Sequence, residues 1–217
     1  MTERVMVTVA HPDDETIMCG GTIAKHVCAG DEVRVLVAAD GVTSRDQSAD
    51  KDIRNLQLDR AAERLGFTWV SLDFYDQQLD GVPRLKLTKC IEMFARDFEP
   101  SIVYTHWHGD MNLDHRIVSE CTTVACRPYP GQSVRTLLMG EVCSSTEWAG
   151  GFDPDWFVLL NEREWDAKLE ALKCYAEELR EYPHARSLHA IQSLMWHRAA
   201  TVGANFAEAF EIGRMIA

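Results

Sequence analysis

The chain has 217 residues, of which 46% are hydrophobic and 26% are charged. This balance is typical of a soluble globular protein, and the length fits one domain over residues 1–217. The formal net charge is −12, which argues against nucleic acid and anionic membranes as partners.

Seven cysteines without a Cys-x-x-Cys pair indicate neither a disulfide framework nor a thiolate zinc site. The first four residues include an acidic and a basic side chain, and only six apolar residues follow them, so a signal peptide does not fit. No stretch approaches the roughly 20 apolar residues of a membrane span. We therefore expect a cytoplasmic protein that does not bind membranes.

Short valine-rich runs alternate with segments of helical pattern along the chain. Runs over residues 5–10 and 33–39 flank a helical segment over 17–29, which predicts a β-α-β unit with parallel strands. Further strands are predicted over 69–74, 102–105, 135–142 and 156–160, and further helices over 52–65, 87–98, 116–126, 164–178 and 187–202. We therefore predict a three-layer, Rossmann-like α/β fold with a mostly parallel sheet.

Two polar clusters directly follow predicted strands. The first is His-Pro-Asp-Asp-Glu at residues 11–15, and the second covers residues 106–115. Ligands of parallel α/β sheets bind outside the carboxyl ends of the strands, so both clusters can face one crevice. Taken alone, the first cluster has a simpler explanation, because Asp13 or Asp14 could cap the following helix. Capping does not account for His11 or for the second cluster.

Histidine and aspartate side chains in these clusters suit catalytic zinc, which commonly takes three protein ligands and keeps a position for water. Such a metal lowers the pKa of water from 15.7 to about 7 and polarises a carbonyl oxygen, as amide hydrolysis requires. One of the adjacent carboxylates, Asp13 and Asp14, could bind the metal while the other acts as the base. The spacing leaves open which residue has which role.

The stretch Ala-His-Pro-Asp-Asp-Glu at residues 10–15, followed by Gly-Gly-Thr at 20–22, resembles the signature of the PIG-L/LmbE-like de-N-acetylases. The stretch Gly-Asp-Met-Asn-Leu-Asp-His-Arg at 109–116 is similar to the second signature of that family. Residues 141–148 and 182–187 resemble its bacterial branch, which is associated with surface-sugar pathways. The resemblance implies an enzyme that uses Zn²⁺, with Fe²⁺ in the cell as an alternative.

Carried over to this chain, the family pattern implies that His11, Asp14 and His115 bind the metal. It implies that Asp13 is the general base and that Asp114 orients a histidine.

The general acid is less directly indicated, because several relatives carry a histidine where this chain has Asn112. The candidates are His106, His108 and His184, any of which could instead be structural. We predict His106, because it directly follows the strand over 102–105 on the segment that carries the last metal ligand.

Other polar residues are candidates for contact with substrate. Arg54 matches a family position that contacts substrate, and Asp76 lies in a loop where it could meet sugar hydroxyls. Arg116, His184 and Arg186 complete the predicted substrate-binding set. Each could instead have an ordinary structural role, such as a salt bridge or a loop cap.

These observations predict a metal-dependent hydrolase that removes the N-acetyl group from an amino sugar or sugar conjugate, giving a free amine and acetate. A nucleotide-linked sugar is one option for this small-molecule partner, and a homo-oligomer is one option for assembly. The alternative is a metal-dependent amidase acting on a non-sugar N-acyl metabolite. A protein that only senses a sugar is disfavoured by the complete set of ligands and base.

Overall fold

The computed structural model describes residues 2–44 and 50–217. Within these ranges one sheet contains seven strands in the order β3-β2-β1-β4-β5-β7-β6. The strands are β1 (Arg4–Val9), β2 (Glu32–Ala39), β3 (Thr68–Phe74), β4 (Ile102–His106), β5 (Thr136–Gly140), β6 (Trp156–Leu160) and β7 (Phe206–Met215). Strands β1 to β5 are parallel, and β7 is antiparallel to both of its neighbours. The predicted mostly parallel α/β fold is confirmed.

The helices cover both faces of this sheet and make the three predicted layers. They are α1 (Asp14–Cys28), α2 (Lys51–Leu65), α3 (Arg84–Phe98), α4 (Leu113–Ala125), α5 (Thr146–Ala149), α6 (Glu162–Cys174) and α7 (Leu188–Thr201), with a 3-10 turn at Leu79–Gly81. Alternate side chains of β1 enter different cores: Val5 and Val7 join the core under α1, α2 and α6, whereas Met6 joins the core under α3 and α4. No helix in the described ranges is long and apolar enough to cross a membrane.

Helix α1 is kinked at Cys19, where φ is −143° and ψ is 25°. The kink leaves main-chain groups to be satisfied from elsewhere, and the buried Glu208 carboxylate accepts the N–H groups of Gly21 at 3.0 Å and Thr22 at 2.6 Å. Lys168 neutralises that carboxylate at 2.6 Å. The helix that carries the first polar cluster is therefore fixed to β7 and α6.

Three departures from the predicted elements bear on the site. Strand β7 was not predicted. Helices α1 and α4 each begin three residues earlier than expected, which places Asp14 and His115 in first helical turns rather than in loops. Helix α6 ends at Cys174, four residues early, so the chain that follows is free to turn toward the sheet edge.

Candidate active site

The two polar clusters meet at the carboxyl edge of the sheet. Strands β1 and β4 are adjacent and parallel, with Val5 paired to Ile102, so the residues after both strands leave the sheet side by side. His11 follows β1, Asp14 begins α1, and His115 lies in the first turn of α4. All three side chains are buried.

Local capping explains where these helices start. Asn112 caps α4, since its side-chain oxygen accepts the N–H of Asp114 at 2.9 Å. Asp14 Oδ2 accepts the main-chain N–H of His11 at 2.9 Å and so closes the turn before α1. Asp13 stands at the N-cap position but makes no capping hydrogen bond with its side chain. Helix capping therefore does not explain Asp13.

The atoms of His11, Asp14 and His115 are close enough to share one metal ion. One ligand atom from each residue lies within 4.8 Å of the others, and Asp14 Oδ2 is 3.3 Å from both His11 Nδ1 and His115 Nε2. Asp14 Oδ1 and His115 Nε2 are buried without a hydrogen-bond partner. Buried polar atoms are normally hydrogen-bonded, so these two atoms fit a cation as their partner.

The charges in this cluster also favour a cation. Burial alone would lower the pKa of His115, but the carboxylates of Asp14 and Asp110 outweigh burial and raise that pKa. Burial alone would raise the pKa of Asp14, but His115 and His11 hold it well below its usual range. The carboxylate therefore stays ionised and attracts positive charge, which either protons or a metal can supply.

Two carboxylates orient His11 from the side away from Asp14. Asp114 Oδ2 lies 3.2 Å from His11 Nε2, and Asp114 also accepts the main-chain N–H groups of Gln77 and Leu79. Asp76 Oδ1 lies 2.9 Å from the same His11 Nε2. Asp76 was predicted to meet sugar hydroxyls, and in the structure its carboxylate supports the His11 imidazole.

His11, Asp76 and Asp114 form a second group whose atoms could hold a metal. In that group His11 Nε2 already lies at hydrogen-bond distance from both carboxylates. The unsatisfied atoms lie instead on Asp14 and His115. The group of His11, Asp14 and His115 is therefore the better candidate to hold a metal.

Asp110 supports the third ligand. Its Oδ1 lies 3.4 Å from His115 Nδ1, and its Oδ2 accepts hydrogen bonds from Ser145 Oγ at 3.1 Å and Thr146 Oγ1 at 2.5 Å. The His115 ring is therefore held through Nδ1, and its Nε2 has no hydrogen-bond partner and could bind a metal.

The carboxylate of Asp13 is buried, and its two oxygens have different surroundings. Its Oδ2 lies 3.0 Å from Arg54 Nη2 and 3.0 Å from Arg186 Nη1. Its Oδ1 has no hydrogen-bond partner. Glu178 balances the two arginines, at 3.2 Å from Arg54 and 3.5 Å from Arg186. One oxygen of Asp13 is therefore fixed and the other is left for a proton.

Arg54 pairs with Asp13, and its predicted contact with substrate stays a prediction. Only 3% of its side chain is exposed, and it also donates to the carbonyl of Pro12. Arg186 is 21% exposed and donates from Nε to Ser144 Oγ at 2.8 Å. Arg54 therefore acts on Asp13 from within the protein, whereas Arg186 can also face the crevice.

Glu15 holds the backbone of Asp13. Its Oε2 accepts the Asp13 N–H at 3.0 Å, and its Oε1 accepts from Thr16 Oγ1 at 2.6 Å and from Tyr175 Oη at 2.7 Å. Burial raises the pKa of this carboxyl group to about 7. The last residue of the first cluster therefore supports the site without facing it.

His106 does not fit the general acid that the sequence analysis predicted. Its side chain is fully buried and stacks on His115 with ring centroids 4.0 Å apart. Its Nε2 accepts the main-chain N–H of Ala10 at 2.8 Å. Burial lowers the pKa of His106 to about 3, so the ring is neutral near pH 7, and its remaining proton lies on Nδ1, which is buried without a partner.

The remaining predicted residues lie away from the metal-ligating atoms. Arg116 donates to the main-chain oxygens of Asp110 and Met111 at 2.6 and 3.1 Å, and so holds the loop before α4. His184 is exposed, and its Nδ1 accepts the N–H of Arg186 at 3.0 Å. Neither residue contacts a metal ligand directly, and their predicted contact with substrate stays a prediction.

The chain resembles known deacetylases in sequence and in fold. The chain is 28% identical to the uncharacterized deacetylase YaiS of Escherichia coli K12 over 178 residues, 78% of this chain and 88% of that protein. Its fold matches N,N'-diacetylchitobiose deacetylase from Pyrococcus horikoshii with a TM-score of 0.79 and 18% sequence identity. The match covers 97% of this chain and 83% of that protein. It also matches GalB, the 4-carboxy-2-hydroxymuconate hydratase of Pseudomonas putida KT2440, with a TM-score of 0.81 and 19% sequence identity. This match covers 100% of this chain and 98% of that protein.

The fold and the buried cluster place two histidines and one carboxylate that could hold a metal at the carboxyl edge of an α/β sheet. The family model of the PIG-L GlcNAc-PI de-N-acetylases matches residues 6–126, more than half of the chain. The chain belongs to this family of deacetylases, as the resemblance predicted.

Proposed function

We propose that the protein is a zinc-dependent N-deacetylase that hydrolyses the acetamido group of a small amino sugar or sugar conjugate and releases acetate. The observation that carries this proposal is the difference between two neighbouring carboxylates. Asp14 lies among the metal-ligating atoms, whereas Asp13 has one oxygen fixed by two arginines and one oxygen without a partner. This is the division between ligand and base that hydrolysis by a metal site requires.

His11, Asp14 and His115 would hold the metal. Two imidazoles and one carboxylate are a common donor set of catalytic zinc, and the same set occurs in non-haem Fe²⁺ enzymes. Zinc is therefore our assignment, with iron in the cell as the alternative. When bound, such a cation lowers the pKa of a water molecule toward 7 and polarises the amide carbonyl.

Asp13 moves the proton in this proposal. Its free Oδ1 accepts a proton from the attacking water, while Arg54 and Arg186 keep Oδ2 in place. The leaving amine is too basic to depart without a proton, so the same carboxyl group returns one to the nitrogen. We prefer Asp13 to His106 as the donor, because the His106 ring is buried and neutral and its Nε2 already accepts a hydrogen bond.

An amino sugar is favoured over another amide by the family rather than by the fold. The hydratase that shares the fold shows that the architecture alone does not determine the reaction. The relative from Pyrococcus horikoshii acts on an acetylated amino sugar, N,N'-diacetylchitobiose. The rival activity is hydrolysis of a non-sugar N-acyl amide by the same site.

Acetate release from a small panel tests the proposal. The panel contains N-acetylglucosamine, its methyl glycosides, UDP-N-acetylglucosamine and an N-acetyl amino acid amide. We expect the zinc-loaded protein to release acetate from at least one sugar and not from the amino acid amide. The reverse preference would establish the rival activity.

The Asp13→Asn variant tests the base. It should retain zinc, because Asp13 is not among the ligands, and lose turnover by roughly 100-fold or more. Asp166→Asn on the exposed face of α6 is the matched control and should turn over normally. Near-normal turnover of Asp13→Asn with full zinc content would show that another group is the base.

A further inference from the structure

A cavity of about 350 Å³ lies beside the candidate active site, between the segment after β5, the short helix α5 and one face of α7. Its apolar lining includes Val142, Cys143, Phe152, Ala190 and Leu194. Small-molecule sites commonly have volumes of roughly 300–1,000 Å³. No step of the proposed hydrolysis uses this cavity.

Two residues that line the cavity are next to residues of the candidate active site. Thr146 lines the cavity and donates to Asp110, which supports the metal ligand His115. Ala185 also lines the cavity, and the next residue along the chain pairs with the proposed base. The cavity therefore lies next to the groups that support His115 and Asp13.

The charged side chains that line the cavity already have partners. Arg198 makes two hydrogen bonds to Glu141, both of 2.8 Å. The carboxylate of Glu147 accepts the N–H groups of Ser144 at 2.7 Å and Ser145 at 3.2 Å. A charged ligand would have to break these contacts, whereas a neutral apolar ligand would leave them intact.

We propose that this cavity binds a neutral, apolar aglycone, the group to which the amino sugar is glycosidically linked. This inference rests on the proposed function. The acetyl group has one methyl beside its carbonyl, which is far smaller than the cavity, so the occupant belongs to the amine product. A sugar nucleotide fits poorly, because its diphosphate would meet Glu141 and Glu147. The substrate class is an N-acetylated amino sugar linked to an apolar ring or short chain.

The test compares methyl and phenyl glycosides of N-acetylglucosamine, each as both anomers. We expect the zinc-loaded protein to prefer a phenyl glycoside by roughly 10-fold or more in kcat/KM, since small apolar groups in such pockets give discrimination of that order. Ala190→Phe fills the cavity and should abolish the preference while the methyl glycoside is still hydrolysed. Ala200→Phe, on the exposed side of the same helix, is the matched control and should keep it.

Leu194→Phe is a second cavity-filling variant in case Ala190→Phe does not fold. Equal kcat/KM for phenyl and methyl glycosides, or an equal preference in the variant and its control, would overturn the proposal. The proposal would also be overturned if a longer N-acyl group raised kcat/KM and Ala190→Phe abolished that increase. The cavity would then bind the acyl group. If no glycoside releases acetate, the proposed function fails, and calorimetric binding of the two glycosides then tests the cavity separately.

Discussion

The buried carboxyl group of Glu15 should make stability depend on pH in a direction opposite to that of most carboxylates. Burial raises its pKa in the folded protein from 4.5 to about 7, against the effect of its hydrogen bonds. Between those values the folded protein retains a proton that the unfolded chain has lost. The free energy of unfolding therefore falls as the pH rises from 4.5 to 7, and this contribution becomes constant above pH 7.

The size of the effect follows from the same two pKa values. At 1.36 kcal/mol per pKa unit, the shift from 4.5 to about 7 corresponds to about 3 kcal/mol between pH 4 and pH 8. A glutamine at this position cannot ionise and removes that dependence. It also places an N–H₂ group or an oxygen against the Asp13 N–H, so Glu15→Gln can lower stability at acidic pH. The informative quantity is the slope rather than the absolute value.

Urea unfolding of the metal-free protein in steps from pH 5 to pH 8 measures this slope. From pH 5 to pH 8 the unfolding free energy of the parent should fall by about 2 to 3 kcal/mol relative to that of Glu15→Gln. Glu63→Gln, at an exposed position of α2, is the matched control and should show no such movement. A constant difference between parent and Glu15→Gln would show that Glu15 is ionised throughout, and would refute the reasoning.

Two further predictions concern the metal and the proton donor. Asp14→Ala and His115→Ala should each lose most of the bound zinc, measured by elemental analysis, because two protein ligands remain; full occupancy in both variants would contradict the ligand assignment. His106→Gln and His184→Gln should keep the basic limb of the pH profile of turnover, because Asp13 returns the proton. Loss of that limb in either variant, with zinc retained, would identify a histidine as the acid.

The location of the site could be predicted from sequence because it depends on strand ends. His11 and His115 follow neighbouring parallel strands, and the carboxyl ends of such strands meet at one edge. The alternation of strands and helices could also be predicted, because valine-rich runs alternate with segments of helical pattern along the sequence. Strand β7 was missed because Glu208, its third residue, is of a type that usually faces solvent. In the structure that carboxylate is buried against Lys168 and α1.

The directions of individual side chains could not be predicted. Arg54 and Asp76 were expected to reach substrate, but Arg54 pairs with Asp13 and Asp76 contacts a metal ligand. A sequence indicates which edge a residue occupies, while the partner it meets there depends on tertiary packing. Tyr175 and Glu178 were missed for a related reason. They fall where α6 was expected to continue, and the early end of that helix turns them toward the site.

The backbone of Asp13 connects these supports with the chemistry. Its φ of 102° lies in a region that residues other than glycine rarely adopt, and such a conformation costs of order 1–3 kcal/mol. Glu15 holds the N–H, and Arg54 and Arg186 hold Oδ2, so the surrounding contacts maintain the conformation. The carboxylate of an ordinary N-cap aspartate accepts hydrogen bonds from N–H groups of the first helical turn. Asp13 makes no such bond, and its Oδ1 stays without a partner beside a metal ligand. The strained turn therefore leaves the Asp13 carboxylate available for its proposed role as the base.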